Sequence, residues 1–139
     1  LGWAFKKDTN DTRESAAIYV ADYLLNEQAD VKVYDPKVSE KQIYADLDYL
    51  ATRTPEQNRL GLSVLADPYE LCKNAHAIAV LTEWDEFKSY DWQRIYDCML
   101  KPAKIFDGRN ILDAEKLREI GFLVQSIGTA SVKKQAVMV

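Results

Sequence analysis

Strand-like runs alternate with helix-like segments along the 139 residues, and this order predicts an α/β fold. One observation is the uninterrupted apolar run at residues 77–81, which has the composition of a strand covered on both faces and is our candidate for the central strand. Another is the segment 13–28, where apolar residues recur at steps of three and four, as on an amphipathic helix. Strands joined through helices pair in parallel with right-handed crossovers. The prediction is a three-layer, doubly wound, mostly parallel sheet of Rossmann-like type, with helices on both faces.

The first junction is predicted to be a strand end, a polar loop and a helix. Residues 1–5 have the composition of the last part of a strand, and the helix over residues 13–28 follows the loop. Asp11 or Thr12 is the expected N-cap, and Asp11 with Glu14 has the spacing of a capping box.

The other elements follow from apolar runs separated by turn residues. Ser39 is the expected N-cap of one helix, Pro68 stands at the first position of a short one, and Gly121 ends another. Residues 52–61 are polar and are expected to form a surface excursion. The predicted strands span residues 31–34, 62–65, 75–82, 104–106 and 122–127; the predicted helices span 39–50, a short stretch from 67, 91–100 and 113–120.

Size and composition indicate one globular domain in a reducing compartment, and we expect a cytoplasmic location. Hydrophobic residues make up 47% and charged residues 29% of the chain. The net charge of -4 argues against nucleic acid or an anionic membrane as the main partner. No apolar run approaches the ~20 residues of a membrane span. Cys72 and Cys98 have neither CxxC spacing nor a disulfide framework around them.

The basic loop before the first helix is the leading candidate for a ligand site. Lys6, Lys7 and Arg13 bring positive charge to a helix N-terminus, where backbone N–H groups and the helix dipole favour anions. In doubly wound sheets, ligands gather beyond the carboxyl ends of the strands, where residues 82–87 and 107–110 are also expected. The chain lacks a G-x-G-x-x-G fingerprint and a P-loop. By itself, the pattern therefore fits two interpretations: an anion-binding site, or solvated lysines before an ordinary helix.

Four motifs resemble, in chain order, those of the UDP-glucose 6-dehydrogenase family (UDP-glucose/GDP-mannose dehydrogenases). Residues 2–15, Gly-Trp-Ala-Phe-Lys-Lys-Asp-Thr-Asn-Asp-Thr-Arg-Glu-Ser, resemble the family's G-x-A-F-K-x-x-T-x-D-x-R-x-S motif at every fixed position. Residues 34–36 resemble its Y-D-P, residues 82–87 its T-E-W-x-x-F, and residues 105–110 the segment with F-D-G-R. This resemblance implies that residues 1–128 are the UDP-binding C-terminal domain, with the first strand cut at its N-terminus. Residues 129–139 would be a tail.

The resemblance also implies roles for particular residues. Phe5, Lys6 and Arg109 would contact the sugar nucleotide, and Arg13 would approach NAD, whose main site lies in another domain of the family. An ammonium supplies a compact charge for phosphate or hydroxyl oxygens, and a guanidinium offers a fork that matches phosphate. Lys7 falls on a less fixed position and is expected to be solvated.

The family's reaction, as the resemblance implies, oxidises UDP-glucose to UDP-glucuronate with two NAD through a covalent cysteine adduct. The dinucleotide fingerprint and the catalytic cysteine belong to the preceding domains. We therefore expect this chain to bind and orient UDP-glucose beside those domains, with no catalytic residue and no metal site of its own. It should be inactive alone, and the full-length protein is expected to be a homo-oligomer.

Several alternatives stay open at this point. The chain could be the same domain of another nucleotide-sugar dehydrogenase, acting on GDP-mannose or a UDP-N-acetylhexosamine, or a stand-alone nucleotide-binding regulatory module. A receiver-type signalling domain would need an acidic pair after the first strand, where this chain has Lys6 and Lys7. The remaining side chains with reactive or ligating groups are expected to be structural or solvated: Cys72, His76, Glu83, Asp85 and Cys98.

Overall fold

The computed structural model describes residues 1–127, which form two compact units, Leu1–Leu71 and a second unit that begins at Cys72. In each unit parallel strands alternate with helices, which confirms the predicted α/β class. The single domain and its boundaries stay predictions. The expected tail at 129–139 lies outside the described residues.

The first unit contains a parallel pair of short strands and their connecting helices. Val31 lies opposite Leu62 and Val33 opposite Val64 in this pair. Its elements are α1 Ala16–Asn26, β1 Val31–Val33, α2 Glu40–Tyr49, α3 Pro55–Gly61, β2 Leu62–Val64 and α4 Pro68–Cys72, the last ending at the unit boundary.

The second unit contains a parallel three-stranded sheet. Ile78, Ile105 and Val124 lie side by side across it and are buried. Its elements are β3 Ala77–Val80, a 3-10 helix Asp85–Ser89, α5 Trp92–Cys98, β4 Lys104–Asp107, α6 Ala114–Ile120 and β5 Leu123–Ser126. The strand order is β3-β4-β5, so the prediction that residues 77–81 are the central strand is wrong for this sheet. Here β4 is the middle strand.

The predicted strand at residues 1–5 is absent, because its backbone is bonded elsewhere. Gly2 has a φ of 97°, outside the range of a β-strand. The N–H groups of Trp3 and Ala4 donate to one carboxylate oxygen of Asp35, at 2.7 and 2.9 Å. A side chain thus takes donors that a neighbouring strand would use.

The first helix starts later than the sequence predicted. Ser15 is the N-cap of α1, and its Oγ accepts from Ala17 N at 3.3 Å. Glu14 has a φ of 58°, which excludes it from the helix, so the expected capping box of Asp11 with Glu14 does not form. The predicted cap Ser39 is confirmed, since its side chain accepts from Gln42 N at 3.1 Å.

Residues 52–61, which were expected to form a surface excursion, contain α3. Thr54 Oγ1 accepts from Gln57 N at 3.2 Å, and Gln57 Oε1 accepts from Thr54 N at 2.9 Å. This is a capping box with Pro55 at the first helical position. The sequence Thr-Pro-Glu-Gln carries both signals, so the helix could have been predicted.

Candidate functional site

A buried carboxylate positions the start of the first unit. Asp35, two residues beyond the end of β1, accepts four backbone hydrogen bonds at 2.7–3.1 Å. Two come from Trp3 and Ala4, and two from the turn that precedes α2, at Lys37 and Val38. A carboxylate with four acceptor sites satisfies donors that burial would otherwise leave unpaired. From the sequence, Asp35 was placed only in the motif at residues 34–36, and this role was missed.

The indole of Trp3 completes the anchor of this segment. Trp3 is buried, and its Nε1 donates to Asp46 Oδ2 of α2 at 3.0 Å. The main chain of Trp3 also accepts from Ser15 Oγ at 2.7 Å. The segment before the basic loop is thus tied to β1, α2 and the start of α1, which gives the loop a fixed base.

The basic loop projects from this base into solvent. It is closed by a backbone hydrogen bond from Phe5 N to Asp11 O at 2.7 Å. Inside the loop, Asp8 has a φ of 65°, a conformation in which L residues occur mainly in turns. The Phe5 side chain is 46% exposed, and the side chains of Lys6 and Lys7 are exposed as well. Phe5 and Lys6 are therefore accessible to a ligand.

Arg13 is held in one orientation by Asp11. Its Nε donates to Asp11 Oδ1 at 3.0 Å and its Nη2 to Asp11 Oδ2 at 2.8 Å, the paired geometry of a guanidinium on a carboxylate. The hydrogen bonds from Arg13 lower the pKa of Asp11 from 3.8 to about 2, and the same contact raises the pKa of Arg13. The Arg13 side chain is nevertheless 89% exposed. It presents an oriented, permanent positive charge at the surface.

Arg13 borders a cleft of about 280 Å³ within the first unit. Two tyrosines, Tyr19 of α1 and Tyr49 of α2, contribute exposed aromatic surface to it, at 53% and 89% exposure. The other lining residues include Thr12, Ile18, Gln42 and Asp46. The cleft therefore places aromatic surface beside a fixed guanidinium.

In the second unit, Asp107 organises the loop after β4. This fully buried carboxylate accepts from Arg109 N at 3.2 Å, Ile111 N at 2.9 Å and Leu112 N at 2.8 Å. Gly108 N donates to Val80 O of β3 at 2.9 Å, and a Cβ at Gly108 would lie 3.0 Å from that oxygen. The loop therefore requires close backbone approach, for which glycine is suited.

The side chain of Arg109 is oriented by two contacts. Its Nε donates to Leu81 O at 3.0 Å, and its Nη1 lies 3.9 Å from Glu83 Oε2. Arg109 is one-third exposed, so part of its guanidinium faces solvent. Glu83 was expected to be solvated, but it lies beside this guanidinium and is only 31% exposed.

The four predicted site residues lie in two different units. Phe5, Lys6 and Arg13 belong to one loop of the first unit, and Arg109 belongs to the loop after β4 in the second. Each loop is anchored by a buried aspartate at a strand end, Asp35 in one unit and Asp107 in the other. A sequence signal existed for both, since each aspartate directly follows a predicted strand and precedes a proline or glycine.

Both cysteines are free thiols that are buried or half-buried. Cys72 is fully buried, and the Sγ of Cys98 donates to Ile95 O at 3.3 Å. Over residues 1–127, no group of three or more His, Cys, Asp or Glu side chains could hold a metal ion. None of the helices in that part of the chain is long and apolar enough to cross a membrane.

Comparison with known proteins decides the family. Residues 1–114 match the family model described as "UDP-glucose/GDP-mannose dehydrogenase family, UDP binding domain". The chain belongs to this family. The match covers the motifs at residues 2–15, 34–36, 82–87 and 105–110, which confirms the resemblance predicted from them.

Relatives from this family include long curated enzymes. The chain is 53% identical to UDP-glucose 6-dehydrogenase 3 of Oryza sativa subsp. japonica over 138 residues, and 49% identical to UDP-glucose 6-dehydrogenase of Rattus norvegicus over 130. Each alignment covers 92% of the chain. It covers 28% of the rice enzyme and 26% of the rat enzyme. The chain thus spans about a quarter of the length of the curated relatives that it matches.

A solved structure supports the fold. The crystal structure of NDP-N-acetyl-D-galactosaminuronic acid dehydrogenase from Methanosarcina mazei Go1 matches with a TM-score of 0.74 and 27% identity, over 96% of this chain and 24% of that one. This likeness agrees with a doubly wound α/β fold across the family.

Proposed function

We propose that the chain is the substrate-binding C-terminal domain of a UDP-glucose 6-dehydrogenase, which oxidises UDP-glucose to UDP-glucuronate with two NAD. Phe5, Lys6 and Arg109 contact the sugar nucleotide, and Arg13 contacts the dinucleotide. The preceding domains of the same enzyme supply the main NAD site and the catalytic groups. The enzyme is a cytoplasmic homo-oligomer.

The observation that carries the proposal is the presentation of Arg109. Its Nε is bonded to Leu81 O, while the guanidinium stays one-third exposed at the end of a parallel strand. A partly buried arginine with a fixed orientation loses little conformational entropy when it binds a phosphate. The carboxyl ends of parallel strands are also where ligands bind in α/β sheets.

The first loop supports the same role. Phe5 offers an exposed ring that can pack against a base or a sugar face, and Lys6 adds an ammonium for hydroxyl or phosphate oxygens. The fixed base formed by Asp35 and Trp3 limits how far these side chains can move. Such pre-organisation positions a substrate at low entropic cost.

NAD fits the surroundings of Arg13. Arg13 donates hydrogen bonds from its Nε and Nη2 to the Asp11 carboxylate, and among the described residues its Nη1 has no hydrogen-bond partner. This exposed donor can bind a phosphate oxygen of a dinucleotide. Bound NAD supplies the hydride acceptor, and this chain's contribution is an oriented charge that helps hold it.

A UDP-glucose substrate is favoured over GDP-mannose or a UDP-N-acetylhexosamine. Several relatives near 50% identity are UDP-glucose 6-dehydrogenases, whereas the solved relative named for an N-acetylhexosaminuronic acid is 27% identical. A stand-alone regulatory module is less well supported, since the relatives continue well beyond the matched region.

The test is ligand binding to the full-length enzyme with paired substitutions. We expect Lys6→Ala and Arg109→Lys each to weaken UDP-glucose binding about 10-fold, because a charge-assisted hydrogen bond contributes about 1.5–3 kcal/mol. Calorimetric titration with UDP-glucose, UDP, GDP-mannose and NAD gives the affinities.

Matched controls are available for both substitutions. Lys7→Ala removes the same charge from the neighbouring position, and Arg94→Lys makes the same exchange on α5; both should change the affinity less than 2-fold. Equal losses in a variant and its control would contradict the assigned contacts. Preference for GDP-mannose would contradict the substrate.

A further inference from the structure

Within residues 1–127, one face of the three-stranded sheet in the second unit is exposed. Side chains along β4 and β5 alternate between exposed and buried, and the register aligns the exposed positions across the strands. Phe106 is 40% exposed, Leu123 48%, and Ile127, just past β5, 56%. The exposed face consists of Ala77, Ala79, Lys104, Phe106, Leu123, Gln125 and Ile127, of which Ala79 is half-buried.

An uncovered face is unusual for strands that are all parallel. Parallel sheets occur almost always with both faces covered, because their crossover connections place helices on the two sides. The buried side of this sheet carries Ile78, Ile105 and Val124, which form a normal core. The opposite side has large apolar side chains and a single charged residue, Lys104, so it has the composition of a surface that is buried in a larger protein.

The dimensions of this face match one helix. Three strands spaced about 4.8 Å apart make a surface about 10 Å wide, and four residues per strand make it about 13 Å long. An α-helix has a diameter of about 10 Å and rises about 1.5 Å per residue. One helix of two to three turns would therefore cover the face.

We propose that this face is the docking surface for an amphipathic helix from the part of the same polypeptide that lies outside the 139 residues. The inference rests on the proposed function, under which the chain is one domain of a longer dehydrogenase. The 138 residues aligned with the rice enzyme are 28% of it, so ample polypeptide is available to supply the helix.

A second copy of the chain fits this face less well. A surface of about 130 Å² is far below the ~800 Å² per partner that stable complexes between separate molecules bury. A helix within the same polypeptide avoids most of the entropy lost when separate molecules associate. The small area is therefore sufficient for an internal contact.

Photo-crosslinking of the full-length enzyme tests the docking. In the variant Phe106→p-benzoylphenylalanine, we expect irradiation to link position 106 to one peptide from outside the 139 residues. Apolar residues in that peptide should recur at steps of three and four. The matched control is Leu100→p-benzoylphenylalanine, since Leu100 is 41% exposed and lies outside the face; it should not link to that peptide.

The outcomes separate this inference from the proposed function. A link to residues 128–139, a link between two copies, no link at all, or an equal link from position 100 would each overturn it. UDP-glucose affinity is measured on the same protein, so intact binding without the expected link would refute the docking alone.

A pair of stability measurements gives a second test. Phe106→Glu should shift the melting temperature of the 139-residue chain by less than about 1 °C, because the side chain is exposed there. The same change should lower the melting temperature of the full-length enzyme by at least about 2 °C, because the glutamate charge would be buried under the helix. Equal shifts in the two proteins would overturn the inference.

Discussion

At the scale of single residues, two buried aspartates carry the architecture of the candidate site. Asp35 accepts four backbone N–H groups, two from the segment before the basic loop and two from the turn before α2, and Asp107 accepts three from the loop that follows it. The cationic residues are exposed or partly exposed, so they contribute little to stability. The buried acceptors therefore shape the loops, and under our proposal the accessible cations bind the ligand.

Replacing Asp35 should destabilise the chain strongly. In Asp35→Asn one acceptor oxygen becomes an NH2 group, which leaves two buried backbone donors facing another donor. We expect a loss of about 3 kcal/mol in the free energy of unfolding, measured by urea denaturation. The exposed Asp30→Asn should cost less than about 0.5 kcal/mol. Similar midpoints for the two variants would show that the four hydrogen bonds do not stabilise the fold.

The contact between Arg13 and Asp11 should be visible as a titration. The pKa of Asp11 is lowered from 3.8 to about 2, so the contact stabilises the folded loop above about pH 4 and is lost as the pH falls through about 2. In an NMR titration of the Asp11 carboxyl, Arg13→Gln should move the pKa back toward 3.8. Lys7→Gln should not move it. A midpoint unchanged by Arg13→Gln would refute the contact.

At the scale of elements, helix caps decide where the chain turns. The α1 N-cap is Ser15 rather than Asp11 or Thr12, because Glu14 adopts a positive φ. The capping box of Thr54 with Gln57 starts α3 in a stretch that was expected to be a surface excursion. At both places, the position of the N-cap decides where the helix begins.

The cap of α3 should have a measurable energy. Thr54→Ala removes the acceptor for Gln57 N and should lower the free energy of unfolding by about 1 kcal/mol. Thr54→Ser keeps the hydroxyl and should restore most of that stability. Chemical denaturation of both variants provides the comparison, and equal losses would assign the effect to the lost methyl group instead.

At the scale of the whole molecule, our proposal assigns substrate binding to this chain and the oxidation to the rest of the enzyme. Cys72 is fully buried, and the thiol of Cys98 donates a hydrogen bond to a carbonyl of its own helix. The family match is to a UDP-binding domain, and the relatives are about three and a half times as long. Both findings favour a chain that holds substrate for chemistry located elsewhere.

The isolated 139-residue chain should therefore have no dehydrogenase activity. With UDP-glucose and NAD, no NADH should form above the background without protein, as followed by NADH absorbance. The full-length enzyme serves as the positive control under the same conditions. Sustained NADH production by the purified chain would contradict the absence of catalytic groups.

The sequence by itself determined the α/β class, most of the elements and the family. Alternating apolar runs and helical stripes depend on local periodicity, and the motif at residues 2–15 is long enough to be specific. The tertiary structure decided what depends on distant neighbours. Asp35 takes the N–H groups of Trp3 and Ala4 across some thirty residues, so a stretch with strand composition forms no strand. It also decided that Phe106 and Leu123 share an exposed face, because strand register is set by pairing between segments far apart in the chain.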